Sequence, residues 1–288
     1  MIEEIEIRVP EDRVGEIFSS DEGESIAGTR VLRLQSTDAR LVKVRELHRR
    51  KWKEGGYFYS SAVPHRAYTS AELDSSEVLL LRPQALFEPA GEECGTIYDD
   101  VGACAACGVA DQLGPLRLPL SRIPTGVDFA VTIAGEMLLS DRAFAVFDDA
   151  QLSGFATEPI LDSDSMGGAG TLPHWRQLLP DGVELAVSRD TLVGWSWGEA
   201  VPWPRYPRSC DHLIGPRLIS ELQVIDPGLR TDSMRTAGFF GERQGLLRPR
   251  PIMCTSPSVR TLVAEAALQG FIFERALFEG SADTSGSS

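Results

Sequence analysis

Cysteine is scarce in this chain. Five occur in 288 residues, an odd number at irregular spacing, which argues against a disulfide framework and leaves free thiols or metal ligation. Positive charge is also short: Lys and Arg total 28 against 42 Asp and Glu, giving a net charge of -14 that repels phosphate backbones and anionic lipid heads. A cationic protein would be steered towards such a surface. No run of about 18 apolar residues exists, and Met1-Ile-Glu-Glu-Ile-Glu6 lacks the basic then apolar order of a signal peptide. The expected location is the cytoplasm. Signatures of common sites are missing too. Gly167-Gly-Ala-Gly170 has no Lys-Ser/Thr pair to complete a phosphate loop, and Asp162-Ser-Asp164 lacks the spacing and terminal Glu of an EF-hand.

What is present is a hydrophobic content of 42%, enough for one large domain or two ordinary ones. Ile2, Ile5, Ile7 and Val9 alternate with polar residues as an opening strand stopped by Pro10. Val14, Ile17 and Phe18 can share one short helical face, and Val31, Leu32 and Leu34 read as a second strand. The run from Arg45 to Lys53 concentrates positive charge and reads as a solvated helix face or an exposed loop, with Trp52 able to stack on a base or meet an acidic peptide. Tyr57-Phe-Tyr59 reads as a strand, and Glu77-Val-Leu-Leu-Leu81 as a strand covered on both faces.

Residues 137–155 and 253–271 align without a gap, pairing Ser140 with Ser256, Ala150 with Ala266, Leu152 with Leu268, Gly154 with Gly270 and Phe155 with Phe271. Each copy predicts a helix capped by its serine, a glycine turn and a returning strand. Asp162 to Gly170, small, acidic and glycine-rich, marks the boundary. The expected fold class is α+β, with two related halves, each a mixed or antiparallel sheet with a few helices. The first half is residues 1–161, the linker 162–173, the second half 174–279, and 280–288 a disordered tail.

Cys104-Ala-Ala-Cys107-Gly108 is a two-cysteine knuckle: a tight turn brings both sulfurs to one side, and the glycine lets the backbone reverse. It supplies half a tetrahedral site. Cys210-Asp-His212 supplies a Cys/His pair, and together Cys104, Cys107, Cys210 and His212 make a three-cysteine, one-histidine set suited to structural zinc. Spacing alone leaves open the alternative of unrelated buried residues. As a zinc site it would clip the halves together, and four protein ligands leave no position for activated water. Trp195, Trp197 and Trp203 fall in one proline-bounded patch that can anchor a protein partner, lid a core or flank the metal.

The knuckle, Pro115-Leu-Arg-Leu118, the unit from Ser140 to Phe155, Ile219-Ser-Glu-Leu222 and Gly245-Leu-Leu-Arg-Pro-Arg-Pro-Ile252 together carry a resemblance. Over residues 96 to 278 the chain resembles an uncharacterised bacterial CxxCG family similar to the myxobacterial double-CxxCG paralogs and, more distantly, to polymorphic-toxin immunity proteins. It departs from them at Cys210-Asp-His212, where relatives carry a Cys-x-x-Gly-His-like arrangement, so the resemblance supports Cys210 and leaves His212 to the donor-set argument. It implies a non-catalytic cytoplasmic protein that neutralises a cognate toxin by direct binding. Two alternatives stand beside it. One is an enzyme acting on a small molecule between the halves, with His65, His174 and the acids as candidates, which a pocket holding a histidine beside a carboxylate would favour. The other is a zinc-ribbon nucleic-acid adaptor using the Arg45 to Lys53 run.

Overall fold

Alternation of Ile5, Ile7 and Val9 with polar residues sends one side of β1 (Ile2–Pro10) inward, and all three are fully buried. β2 (Glu24–Ile26) and β3 (Thr29–Gln35) continue antiparallel beside it. α1 (Arg40–Lys53) then packs Leu41, Val44 and Leu47 into the same cluster, and β4 (Ser61–Ala67) completes the order β2-β3-β1-β4. The basic run is therefore the outer face of an amphipathic helix, with Lys51 paired to Glu16 at 2.8 Å. The strand expected at Tyr57 to Tyr59 forms a few residues later. Phe58 and Tyr59 are loop residues buried in this cluster, while β4 accommodates Pro64 because an edge strand has one side free of ladder bonds.

The computed structural model describes residues 1–84, 86–164, 175–207 and 209–280. Most of the expected linker, the tail from residue 281 and His174 lie outside the described residues. After α2 (Ser70–Asp74), closed by a Thr69/Glu72 capping box, come β5 (Val78–Pro83), β6 (Leu86–Phe87), β7 (Arg117–Leu118), β8 (Phe129–Thr132) and β9 (Met137–Ser140). Then follow α3 (Asp141–Asp149), β10 (Phe155–Pro159), β11 (Leu161–Asp162), β12 (Trp175–Pro180), β13 (Val183–Leu185), β14 (Leu192–Val193) and β15 (Val201–Pro202). The chain continues through β16 (Leu213–Gly215), β17 (Leu222–Val224), β18 (Ser233–Thr236), β19 (Phe239–Phe240), β20 (Met253–Thr255), α4 (Pro257–Glu265) and β21 (Phe271–Phe278). The class is mixed α+β, with several sheets and few helices, and no described helix is long and apolar enough to cross a membrane.

Two of these sheets follow one plan. The five-stranded sheet runs β10-β12-β9-β8-β6, and the six-stranded sheet, read from its far side, runs β21-β5-β20-β18-β13 with β17 added outside β21. In each, an inserted strand lies antiparallel between the two strands that flank a helix: β12 between β9 and β10, β5 between β20 and β21. The outer pairs β6/β8 and β13/β18 are both parallel. The inserted strands come from opposite sides of the expected boundary. β5 precedes the five-stranded sheet in the chain yet sits in the six-stranded one, and β12 does the reverse. The two sheets are therefore interleaved along the chain.

The hydrogen bonds at the crossing are reciprocal. Asp128 accepts from the Ser140 hydroxyl at 2.8 Å and from the Gln269 N–H at 2.9 Å; Asp232 accepts from the Ser256 hydroxyl at 2.8 Å and from the Ser153 N–H at 2.9 Å. Each aspartate thus ties the start of one helix to the turn beyond the other. Gly154 and Gly270 sit at those turns with φ of 79° and 96°, and a Cβ would lie 2.5 Å from the Ser233 carbonyl oxygen in one case and 2.3 Å from that of Phe129 in the other. Ser140 caps α3 by accepting from the Ala143 N–H at 3.0 Å. Ser256 departs from the expected cap: its hydroxyl turns to Asp232 and Ser258, and Pro257 at the first helical position leaves one fewer unpaired amide there. α3 and α4 share one apolar cluster, in which Phe129 stacks on Phe271 at 4.9 Å and Phe147 meets Phe155 at 5.1 Å and Phe271 at 6.0 Å.

Candidate metal centre

The knuckle lies at the tip of a short hairpin. Asp99 N–H donates to the Asp111 carbonyl and Leu113 N–H to that of Ile97, both at 2.8 Å, so the chain leaves and returns on a two-stranded ladder. At the tip, Cys104 N–H donates to Val109 O at 2.9 Å and Gly108 N–H to Cys104 O at 2.7 Å. Gly108 takes φ of 75°, the left-handed conformation that lets the turn close behind Cys107. Across from it, His212 immediately precedes β16 and its carbonyl accepts from Phe239 N–H at 2.9 Å, fixing the Cys210-Asp-His212 segment to the β16/β19 pair.

The four sequence candidates converge. One ligand atom from each of Cys104, Cys107, Cys210 and His212 lies within 4.8 Å of every other, and Cys107 Sγ is 4.0 Å from His212 Nδ1. Metal–sulfur bonds of about 2.3 Å place the vertices of a tetrahedron about 3.8 Å apart, so small side-chain rotations close these atoms onto one ion. The donor set fits the chemistry of a soft or borderline cation, and the cluster could bind a metal ion. Electrostatics point the same way. Backbone N–H groups of Cys107 and Ala106 hold the Cys104 thiol well below its usual range, whereas burial, reinforced by the neighbouring sulfurs of Cys210 and Cys104, pushes the Cys107 thiol up. A cation bound between the sulfurs would favour their thiolate forms. The two remaining cysteines lie elsewhere: Cys94 packs half-buried below β7, and Cys254 is fully buried in β20.

Residues that the spacing argument missed hold the knuckle in place. The Arg248 side chain, 2% exposed, donates to Glu92 and Asp100 at 3.0 Å each and to the Gly108 carbonyl at 3.4 Å, with its guanidinium 4.7 Å above the Tyr98 ring. Arg250 contacts the same tyrosine, whose hydroxyl donates to the buried Glu136 at 2.8 Å. The only sequence signal was the run Arg248-Pro-Arg250, which gives no hint of a distant acidic partner.

The three tryptophans separate. Trp197 packs against the N-terminal cluster with the Arg45 guanidinium 4.0 Å over its ring, and Trp203 packs into the six-stranded sheet's cluster while its indole N–H donates to Ser188 O at 2.8 Å. Trp195 remains 39% exposed. Among the enzyme candidates, His65 is an exposed residue on β4. Histidines stand beside carboxylates at two places among the described residues: His65 Nε2 is 3.8 Å from Glu6 at a cleft lined by β4, and His48, in a 210 Å³ cavity, has its Nε2 3.9 Å from Glu199. Its Nδ1 accepts from Tyr59 N–H at 3.5 Å and its ring stacks on Tyr59 at 3.7 Å, a position that joins α1 to the loop before β4. Comparison of the chain with protein-family models gives no match, and comparison with curated proteins gives none either.

Proposed function

We propose that this chain is a non-catalytic, zinc-clipped cytoplasmic binding protein of the immunity type, which neutralises a cognate toxin by direct contact. The convergence of Cys104, Cys107, Cys210 and His212 carries the reading. Zinc is the ion this set favours, because three thiolates and one imidazole match its borderline softness and tetrahedral habit. A site with four protein ligands is closed, so the ion's work is structural. It joins a hairpin from the middle of the chain to the segment before β16, about a hundred residues later. The net charge of -14 suits a basic protein partner. Trp195, half-exposed while Trp197 and Trp203 are held inward, is the aromatic best placed to meet it.

The finer architecture belongs to the same proposal. The shared strand order, the matched Asp128 and Asp232 bonds and the paired helices support two copies of one ancestral unit, each having given its first strand to the other. A scaffold so interlocked is rigid, and a rigid surface loses little entropy on binding. The test is direct. The zinc-loaded protein is mixed with the product of any toxin gene encoded beside its own, and complex formation and loss of toxicity are measured. Binding with neutralisation supports the proposal, and a neighbouring toxin that neither binds nor loses toxicity ends it.

A further inference from the structure

A cleft of about 480 Å³, whose lining includes none of the metal ligands, opens where β4 faces the six-stranded sheet and the loops around residues 195 and 217. In a chain this acidic its lining is unusual. Arg66, Arg82 and Arg217 line it together with His65, against one lining carboxylate, Glu274. Arg82 gives its Nε–H to Glu274 at 2.9 Å, and Arg66 pairs with Glu3 at 2.7 Å. Arg217 is exposed and makes no ion pair among the described residues. Arg66 is the fixed group: its side chain is 6% exposed and also donates to the Ile219 carbonyl, while its Nε, like those of Arg45 and Arg248, has no hydrogen-bond partner among the described residues. At Arg66, which lines the cleft, a bound anion is one way to supply an acceptor to the guanidinium. The remaining lining is apolar, including Val63, Pro64, Leu218 and Ile252, and Trp195. Trp195 is 39% exposed, which leaves its ring available for stacking.

We propose that this cleft binds a small organic oxyanion, a carboxylate or phosphate on a planar apolar body, with the anionic group on Arg66 and Arg217 and the body against Trp195. The proposal uses none of the metal ligands, and it shares Trp195 with the protein-binding reading. Fixed guanidinium forks recognise planar and tetrahedral oxyanions by paired hydrogen bonds, which a mobile surface lysine does not reproduce. The volume suits a ligand of this kind and is too small for a folded segment.

Phenyl phosphate titrated into the nitrogen-15-labelled, zinc-loaded protein tests it, with the Trp195 indole resonance assigned through Trp195→Phe. The expected result is a saturable shift of that resonance, with affinity falling about tenfold or more in Arg217→Ala and partly retained in Arg217→Lys. Arg217 is exposed, so its removal leaves the fold intact. Benzyl alcohol is expected to bind far more weakly, and so is inorganic phosphate alone. The proposal is overturned if phenyl phosphate causes no saturable shift, if Arg217→Ala binds it unchanged, or if either control binds as tightly.

Discussion

Removing the metal should destabilise the protein without unfolding it, and the size of the effect can be worked from the chain. A bond between Cys107 and Cys210 closes a loop of about a hundred residues, for which chain-entropy estimates give about 4–5 kcal/mol of restraint on the unfolded state. That is an upper bound, because zinc also binds unfolded cysteines and so loses part of its preference for the native state. The native site, by contrast, is already assembled: the hairpin ladder, the Arg248 bonds and the His212 to Phe239 bond hold the ligands within 4.8 Å of one another. Chelation should therefore lower stability by about 2–4 kcal/mol, which for a chain of this size is a fall in melting temperature of roughly 3–7 °C. The assay is calorimetry on the zinc-loaded and chelated protein, with zinc measured in both samples. Cys107→Ala and Cys210→Ala should each lose the zinc and show the same fall, and the two together should be little worse than one, since both act through the same ion. A protein that released one equivalent of zinc with no change in melting temperature would refute the clip.

Three further outcomes follow from the packing. Phe147→Ala removes the ring that bridges Phe155 and Phe271 and should cost about 3–5 kcal/mol, read from the urea midpoint at constant slope. Fragments 1–161 and 174–288 expressed apart should each lack an inserted strand, so amide protection at Leu139, whose N–H faces β12, should be absent from the first fragment and return when the second is added; protection in the first alone would contradict the interleaving. Burial lowers the pKa of His48, so the unfolded chain binds the proton more readily than the folded one. Its contribution is complete above its unfolded value of about 6.5 and declines as pH falls below that, so the melting temperature should drop between pH 7.5 and 5.5 more steeply than in His48→Gln.

The sequence was most informative where chemistry is local. A thiol pair two residues apart, a serine before a helix and a glycine after one each declare themselves within a few positions, which is why the knuckle, the Ser140 cap and the paired turns could all be read from the chain. Cys210 and His212 were legible by elimination, since few soft donors remained to complete the set. Partners chosen by tertiary contact were not legible. Nothing near Arg248 points to Glu92 and Asp100, about 150 residues earlier. Nothing in Val78-Leu-Leu-Leu81 says that this strand, though rightly expected to be covered on both faces, would lie between β20 and β21 instead of beside its sequence neighbours. The Tyr57 to Tyr59 strand failed for a related reason: aromatic residues favour strands, yet here their burial is achieved by a loop turned into the N-terminal cluster.

Interleaving gives the clip its meaning. β5 reaches its place only after β20 and β21 exist, nearly two hundred residues later, so the central sheet depends on contacts that close late and at high entropic cost. A metal linking Cys107 to Cys210 shortens the effective separation of those strands before they pair. The position of the Cys/His cluster also fits that role. The cluster lies at a hairpin tip, joined through Arg248 and Gly108 to the loop that leads into β20, where a bound ion would help hold the two interlocked sheets in register. On this argument metal and ligand should be separable: chelation should lower the melting temperature while leaving phenyl phosphate affinity nearly unchanged, and Arg217→Ala should do the converse.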